Sequence, residues 1–383
     1  MRLGVIGYGT RLQHMVRIFR KESADCKLAA VTELEPERFR DDPVVLEDGS
    51  ALYVDAKTML QEAKLDAVAI GTRCSLHTGF ACQVLEAGLP LFLEKPVSTS
   101  YPDLLKLYQA EQRHSSQAVV SFPLRGSQLV ELAKEIVDSG KIGTVEHIQA
   151  VNNVPYGAIY YQNWYRDETE TQGLFLQKST HDFDYINYLA GQEPVAVCAM
   201  KSKQIFKGDR PVGLSCPECP EKDTCLESSV RKEAAGEFVA GNQCCFAVDT
   251  GNEDSGSAIV RYASGMHACY SQNFFARRGA QARGATLLGY RGTLDFDFYT
   301  GLLKVHMHHM PRVETYQLEQ GDGHHGGDAA LGRNFIRMAA GLEPSRFPLM
   351  AGIRSALLCL KARQSAITDT FQRIQVSEDG IHE

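Results

Sequence analysis

Short apolar runs alternate with helical patterns through the first 122 residues, and this alternation leaves few folds open. The runs are Arg2–Ile6, Lys27–Thr32, Ala67–Ile70, the LPLFL segment at 89–93, and the segment at 118–122. Between the first two, Leu12, Met15, Val16 and Phe19 recur at helical spacing. Segments 78–87 and 101–115 also read as helices, the first ending at Gly88. Strands that alternate with helices in this order build a parallel, doubly wound sheet.

Such sheets bind ligands at the carboxyl ends of their strands, so the residues just after each run carry the most information. The first run ends in Gly7-Tyr8-Gly9-Thr10-Arg11-Leu12. Gly7 permits a tight turn, and Gly9 lets the backbone approach a pyrophosphate at the helix start. Leu12 stands where a dinucleotide fingerprint expects Gly or Ala, so helix and strand are expected to pack further apart. Glu33 follows the second run. An acid there binds both ribose hydroxyls of an adenosine and repels a 2′-phosphate, which favours NAD over NADP. The plainer reading is a solvated loop acid among Glu35 and Glu37, and Arg38 and Arg40 leave room for a phosphate. The LPLFL run leads into Glu94-Lys95-Pro96, where Pro96 stops the strand and holds Lys95 extended at its mouth.

The chain has 383 residues, enough for two domains with a sizeable core. Apolar content of 44% and charged content of 23% are ordinary for a globular protein. A net charge of −7 and the lack of a basic patch argue against nucleic-acid binding. The start has no features of a leader peptide, and no apolar run is long enough for a membrane span. A cytoplasmic location is expected, and the eleven cysteines fit it as mainly buried thiols.

Taken together, VIGYGTR, Glu33, GTRCSLH at 71–77, EAGLPLFLEKP at 86–96 and GLFLQKSTHDFDYINYLAG at 173–191 resemble the Gfo/Idh/MocA oxidoreductases. The resemblance implies an α/β Rossmann domain (1–122) and an α+β domain (123–383) with a large open, mostly antiparallel sheet. It also implies NAD or NADP, a sugar, sugar acid or polyol derivative as substrate, and a homodimer or homotetramer formed through that sheet. Lys95 then corresponds to the family's lysine beside the nicotinamide, and Thr72, Arg73, Ser75 and His77 to the loop lining the cofactor. His181 matches the histidine of an Asp-x3-His acid/base pair, with Gln177 in place of the aspartate. A neutral amide orients the ring or binds a hydroxyl but cannot stabilise an imidazolium. Lys178 adds a charge that disfavours it, so Lys95 takes more of the proton transfer, or Asp182 assists. Arg125, Trp164, Arg166, Gln177, Lys178 and His324 are the candidate substrate ligands. Core packing for Trp164 and a surface ion pair for Arg166 are the plain alternatives. Asp328 reads as an N-cap for the helix that follows.

The implied reaction is hydride transfer between nicotinamide and a hydroxyl carbon. Two other readings stay open: an NAD-dependent glycosidase or lyase acting by oxidation and elimination without net NADH, and a cofactor-binding regulator. One segment departs from this plan. Cys216, Cys219 and Cys225 lie in a polar insertion near 207–245, between expected strands at 195–204 and 243–250. A structural zinc site, with Cys244 or Cys245 as fourth ligand, competes there with a metal-free cysteine loop. From Cys244 to about His309, apolar runs separated by glycine turns predict a meander of strands.

Overall fold

The structure, a computed structural model, describes residues 1–114, 117–319, 321–377 and 380–381. Its first sheet holds β1 (Arg2–Ile6), β2 (Lys27–Thr32), β3 (Ala51–Tyr53), β4 (Ala67–Ile70), β5 (Leu91–Leu93) and β6 (Ala118–Val120). The order is β3-β2-β1-β4-β5-β6, with every pair parallel. The chain reverses its direction of winding between β1 and β4, which opens a crevice there. Sequence patterning missed β3, whose three residues lie at the edge and are partly exposed.

Helix α1 (Thr10–Glu22) buries Leu12, Met15, Val16 and Phe19, the spacing read from the sequence. A Cβ placed on Gly71, just after β4, would lie 1.8 Å from Leu12 Cδ2. The leucine therefore fills the space that a side chain at 71 would need, and the missing small residue on the helix is compensated across the crevice.

The second sheet has nine strands: β7 (Val145–Asn153), β8 (Pro194–Ser202), β9 (Ser255–Tyr262), β10 (His267–Asn273), β11 (Ala282–Gly289), β12 (Gly292–Asp297), β13 (Leu302–Met307), β14 (Val313–Gln317) and β15 (Gln372–Arg373). Their order is β14-β13-β12-β11-β7-β10-β9-β8-β15. Only β7 and β10 run parallel, so the sheet is mixed but mostly antiparallel. The strand expected at 243–250 does not form. That segment makes isolated bridges at Gln243 and Ala247. Cys245 packs into a satellite cluster with Tyr160, Tyr161, Leu174, Phe206 and Phe274.

Helices α2 (His77–Glu86), α3 (Tyr101–His114) and α4 (Gln128–Asp138) precede the second sheet, and α5 (Ser179–Ala190), α6 (Gly327–Ala339) and α7 (Leu349–Thr368) complete the set used here. Helix α5 is fixed to the inner face of the second sheet by Asp182. Its carboxylate accepts from Arg283 Nε on β11 (2.8 Å), Asn152 Nδ2 on β7 (2.7 Å) and Tyr270 OH on β10 (2.8 Å). All four residues are buried; both carboxylate oxygens of Asp182 are paired, while Asn152 Oδ1 and Arg283 Nη2 have no partner among the described residues.

The Leu12–Gly71 fit is testable. Gly71→Ala should destabilise the protein by about 1–3 kcal/mol through overpacking. In the Leu12→Ala background the same change should cost clearly less, a coupling that a double-mutant cycle of urea unfolding measures. Equal costs in both backgrounds would refute the fit.

Candidate active site

The glycine turn after β1 has the expected form. Gly7 has φ +84°, and a Cβ there would meet Thr72 N at 2.7 Å. Gly9 caps α1 without a side-chain bond, and nothing lies within 4 Å of a Cβ placed on it. Gly9 and Thr10 are exposed, so the first amides of α1 face open space. Glu33, at the end of β2, accepts from Tyr8 N at 2.7 Å and brings its carboxylate against the turn. An anion-accepting helix start with an acid one strand away suits the pyrophosphate and ribose of a dinucleotide.

Other residues expected around a cofactor are engaged by the protein. Arg11 donates from Nε to Glu94 (2.8 Å) and from Nη2 to Ser121 Oγ (3.0 Å) and Asp328 (2.7 Å). It ties α1, β5, β6 and α6 together. His77 is buried, with Nδ1 2.8 Å from Pro96 O and Nε2 3.1 Å from Thr72 O. Its ring lies between the two loops, and as a neutral imidazole it donates to one of the two carbonyls. Burial lowers its pKa. Arg73 lies over Trp164, 3.9 Å from the ring centroid, and Trp164 stacks on Tyr165. Ser75 Oγ donates to Glu170. The loop after β4 is thus fastened to the segment 164–170.

Two expected substrate ligands are occupied elsewhere. Arg125 pairs with buried Asp184 and lies over Tyr188. Arg166 is buried and bonds Asp249 (2.6 Å) and Gln243 (3.1 Å), anchoring the insertion. Asp328 also departs from expectation: α6 is capped by Gly326, and the Asp328 carboxylate sits between Arg11 and His324.

Lys95, Gln177, Lys178, His181 and His324 come together. Lys95 Nζ donates to Gln177 O at 3.1 Å, which joins the end of β5 to the residues leading into α5. Gln177 gives Nε2 to Thr171 O (3.0 Å) and accepts weakly from Cys74 Sγ, so its amide does not serve His181. Asp182 does not either, because Arg283, Asn152 and Tyr270 occupy it. The buried His181 ring has no hydrogen-bond partner at Nδ1 among the described residues, lies edge-on to Phe122, and is 6.2 Å from the His324 ring. Burial, then Lys95, Arg283, His324 and Lys178, hold its pKa well below the usual value. Lys95 is also lowered, by burial above all.

Sequence reasoning missed Tyr156 and Arg283. Lys178 Nζ donates to the Tyr156 hydroxyl and lies over its ring, 4.7 Å from the centroid. Arg283 had a readable signal: it shares the inward register of β11 with buried Ala285 and Leu287, an odd place for an arginine.

In the insertion, Cys216, Cys219 and Cys225 all lie close enough to Cys244 for their thiols to act on it. Among the described residues, the group of donors with ligand atoms within 4.8 Å of one another is His147, His267 and Cys269, on the outer face of the second sheet. Cys216, Cys219 and Cys225 make no such group.

With this geometry, family comparison is decisive. Residues 1–122 match the oxidoreductase family with an NAD-binding Rossmann fold, and residues 130–295 match the GFO/IDH/MocA C-terminal domain. The chain belongs to the GFO/IDH/MocA oxidoreductases and is an enzyme of that family. It is 26% identical to YteT of Bacillus subtilis over 341 residues, covering 77% of this chain and 79% of that protein. It is 23% identical to an inositol 2-dehydrogenase of Burkholderia multivorans, a match spanning 53% of this chain and 58% of that protein. Among solved structures, a levoglucosan dehydrogenase in complex with NADH and levoglucosan has a TM-score of 0.77 at 18% identity, covering 97% of this chain and 99% of that one. A myo-inositol 2-dehydrogenase from Lactobacillus plantarum has a TM-score of 0.72 at 20% identity, covering 98% and 99%. At these identities the two structures establish the fold alone. No helix among the described residues is long and apolar enough to cross a membrane.

Asp328 supplies a pH test. Burial raises its pKa, but hydrogen bonds from His324 and Arg11 and the charge of Arg11 outweigh this, and the net shift is strongly downward. Its stabilisation is complete above the unfolded carboxyl value of about 3.9 and is lost as pH falls toward the lower folded value. Thermal melts across that range should show Asp328→Asn less stable at neutral pH and less sensitive to acid than the parent. Parallel melting curves would reject this.

Proposed function

We propose that the protein is an NAD-preferring dehydrogenase that moves hydride between nicotinamide and a hydroxyl carbon of a sugar, sugar acid or polyol derivative. The observation that carries this reading is the bond from Lys95 to the Gln177 carbonyl, which brings the end of β5 against the start of α5. The dinucleotide-binding sheet thereby meets the helix bearing His181. A nicotinamide dinucleotide bound at the glycine turn supplies the hydride acceptor or donor. Lys95 hydrogen-bonds the reacting oxygen and stabilises developing alkoxide charge. His181, neutral in its buried setting, is placed to accept or relay the hydroxyl proton. Trp164 and His324, both partly open to solvent, are the substrate-facing groups that remain from the sequence reading. Glu33 supports NAD over NADP, because its carboxylate meets the place where a 2′-phosphate would sit.

The outer face of the second sheet exposes Met200 and Ile259, which supports pairing with a second copy of the chain through that face.

The test is a panel of sugars, polyols and glycosides with NAD and with NADP, following reduced-nicotinamide absorbance and products together. Net NADH from one carbinol class is expected. Glycoside cleavage without net NADH would replace this reading with oxidation and elimination. Lys95→Met should lower kcat by on the order of 10²-fold or more while NADH still binds, as read by its fluorescence. Glu33→Ser should raise the NADP:NAD ratio of kcat/KM by on the order of tenfold, about 1.4 kcal/mol; an unchanged ratio would remove Glu33 from cofactor choice.

A further inference from the structure

The surroundings of His181 present a chemical difficulty. A base that takes a proton as neutral imidazole becomes a cation. Lys95, Arg283, His324 and Lys178 all oppose a positive charge there. The ring has no carboxylate to offset them, since Gln177 and Asp182 are committed elsewhere. An anionic base would instead be favoured by the same cations.

Tyr156 is such a group. It follows β7, and Lys178, the residue after Gln177, directs its buried ammonium onto the phenol oxygen. Arg283 adds a second cation from β11, and Lys95 a third from the end of β5 that interacts with the phenol. The opposing charge is Asp182 on α5, already paired with Arg283. The phenols of Tyr160, Tyr165 and Tyr299 also face it. Tyr156 remains 44% exposed, so part of its side chain is open to solvent.

We infer that Tyr156, hydrogen-bonded by Lys178 and flanked by Arg283, is as its phenolate the proton acceptor for the substrate hydroxyl. This rests on the dehydrogenase reading above and moves the acceptance of the hydroxyl proton from His181 to Tyr156. In the oxidative direction the C–H bond breaks and its electron pair leaves as hydride to the oxidised nicotinamide dinucleotide. The O–H bond breaks, its proton bonds to the phenolate oxygen, and the remaining pair closes the C=O bond. The products are a ketone or lactone, the reduced dinucleotide and a neutral phenol, whose hydroxyl gives its proton to water before the next turnover. In reduction the steps reverse, with Tyr156 as the acid. Burial works to raise the phenol pKa, but Lys178 and Arg283 outweigh it and the net direction is down, as this role needs.

The experiment has one readout that requires no turnover. Ultraviolet difference titration of the protein without cofactor should show one tyrosine ionising below the ordinary value of about 10. That titration should vanish in Tyr156→Phe, move upward in Lys178→Met, and return toward the parent in Lys178→Arg. In the carbinol assay, Tyr156→Phe should lower kcat/KM for oxidation by on the order of 10²-fold and displace the acid limb of its pH profile, while NADH binding holds. Absence of an early-titrating phenol in an enzyme that does transfer hydride would overturn this inference alone. So would a Tyr156→Phe enzyme within about twofold of the parent with the same pH profile. An early phenol with no hydride transfer to any carbinol would overturn the dehydrogenase reading, and this role with it.

Discussion

One guanidinium organises the molecule around its site. Arg11 stands one residue past the start of α1 and reaches Glu94 after β5, Ser121 after β6 and Asp328 in α6. Three of these positions adjoin residues of the candidate site: Glu94 precedes Lys95, Arg11 follows the glycine turn, and Asp328 holds His324. A planar fork with several donors can satisfy partners on separate segments at once, which an ammonium does less well. Burial penalises the cation, but Glu94 and Asp328 keep it charged. The arrangement is mutual: loss of one partner would leave another charge uncompensated in a poorly solvated place.

A second buried pair does the corresponding work for the large sheet. Asp182 and Arg283 lock α5, the helix that carries His181, onto β11, and Asn152 and Tyr270 tie it to β7 and β10. The charge balance of the site follows from this. Asp182 neutralises only part of the field of Arg283, Lys178 and Lys95, so the region as a whole favours anions and neutral groups. His181 is accordingly held neutral, and the phenol beside Lys178 loses its proton more readily than a free one. The absence of a carboxylate at position 177 is therefore a coherent feature of this chain, since its amide is committed to Thr171 and Cys74.

Much of the fold was legible because its signals are local. The Rossmann strands, the helical spacing of α1, Gly7 at positive φ, and the meander from β9 to β13 all follow from periodicity or from a single residue's backbone freedom. Strand β3 and the failed strand at 243–250 were not legible. The first is too short for a pattern, and the apolar side chains of the second found partners in a satellite cluster. Within the site, Lys95 and His181 could be named from motifs. The fates of Arg11, His77, Arg125 and Arg166 could not, since each depends on a partner that is distant along the chain or supplied by backbone carbonyls.

The sequence by itself therefore determined the class of fold, the dinucleotide-binding turn and the residue types available for chemistry, because hydrophobic period and glycine turns act over a few residues. Only the tertiary structure decided which charged groups are free and which are bound. A side chain's protonation and availability depend on burial and on neighbours within a few ångströms, and chain folding brings those neighbours from far apart. Leu12 meeting Gly71, Arg11 meeting Asp328, and Lys178 meeting Tyr156 are contacts of that kind.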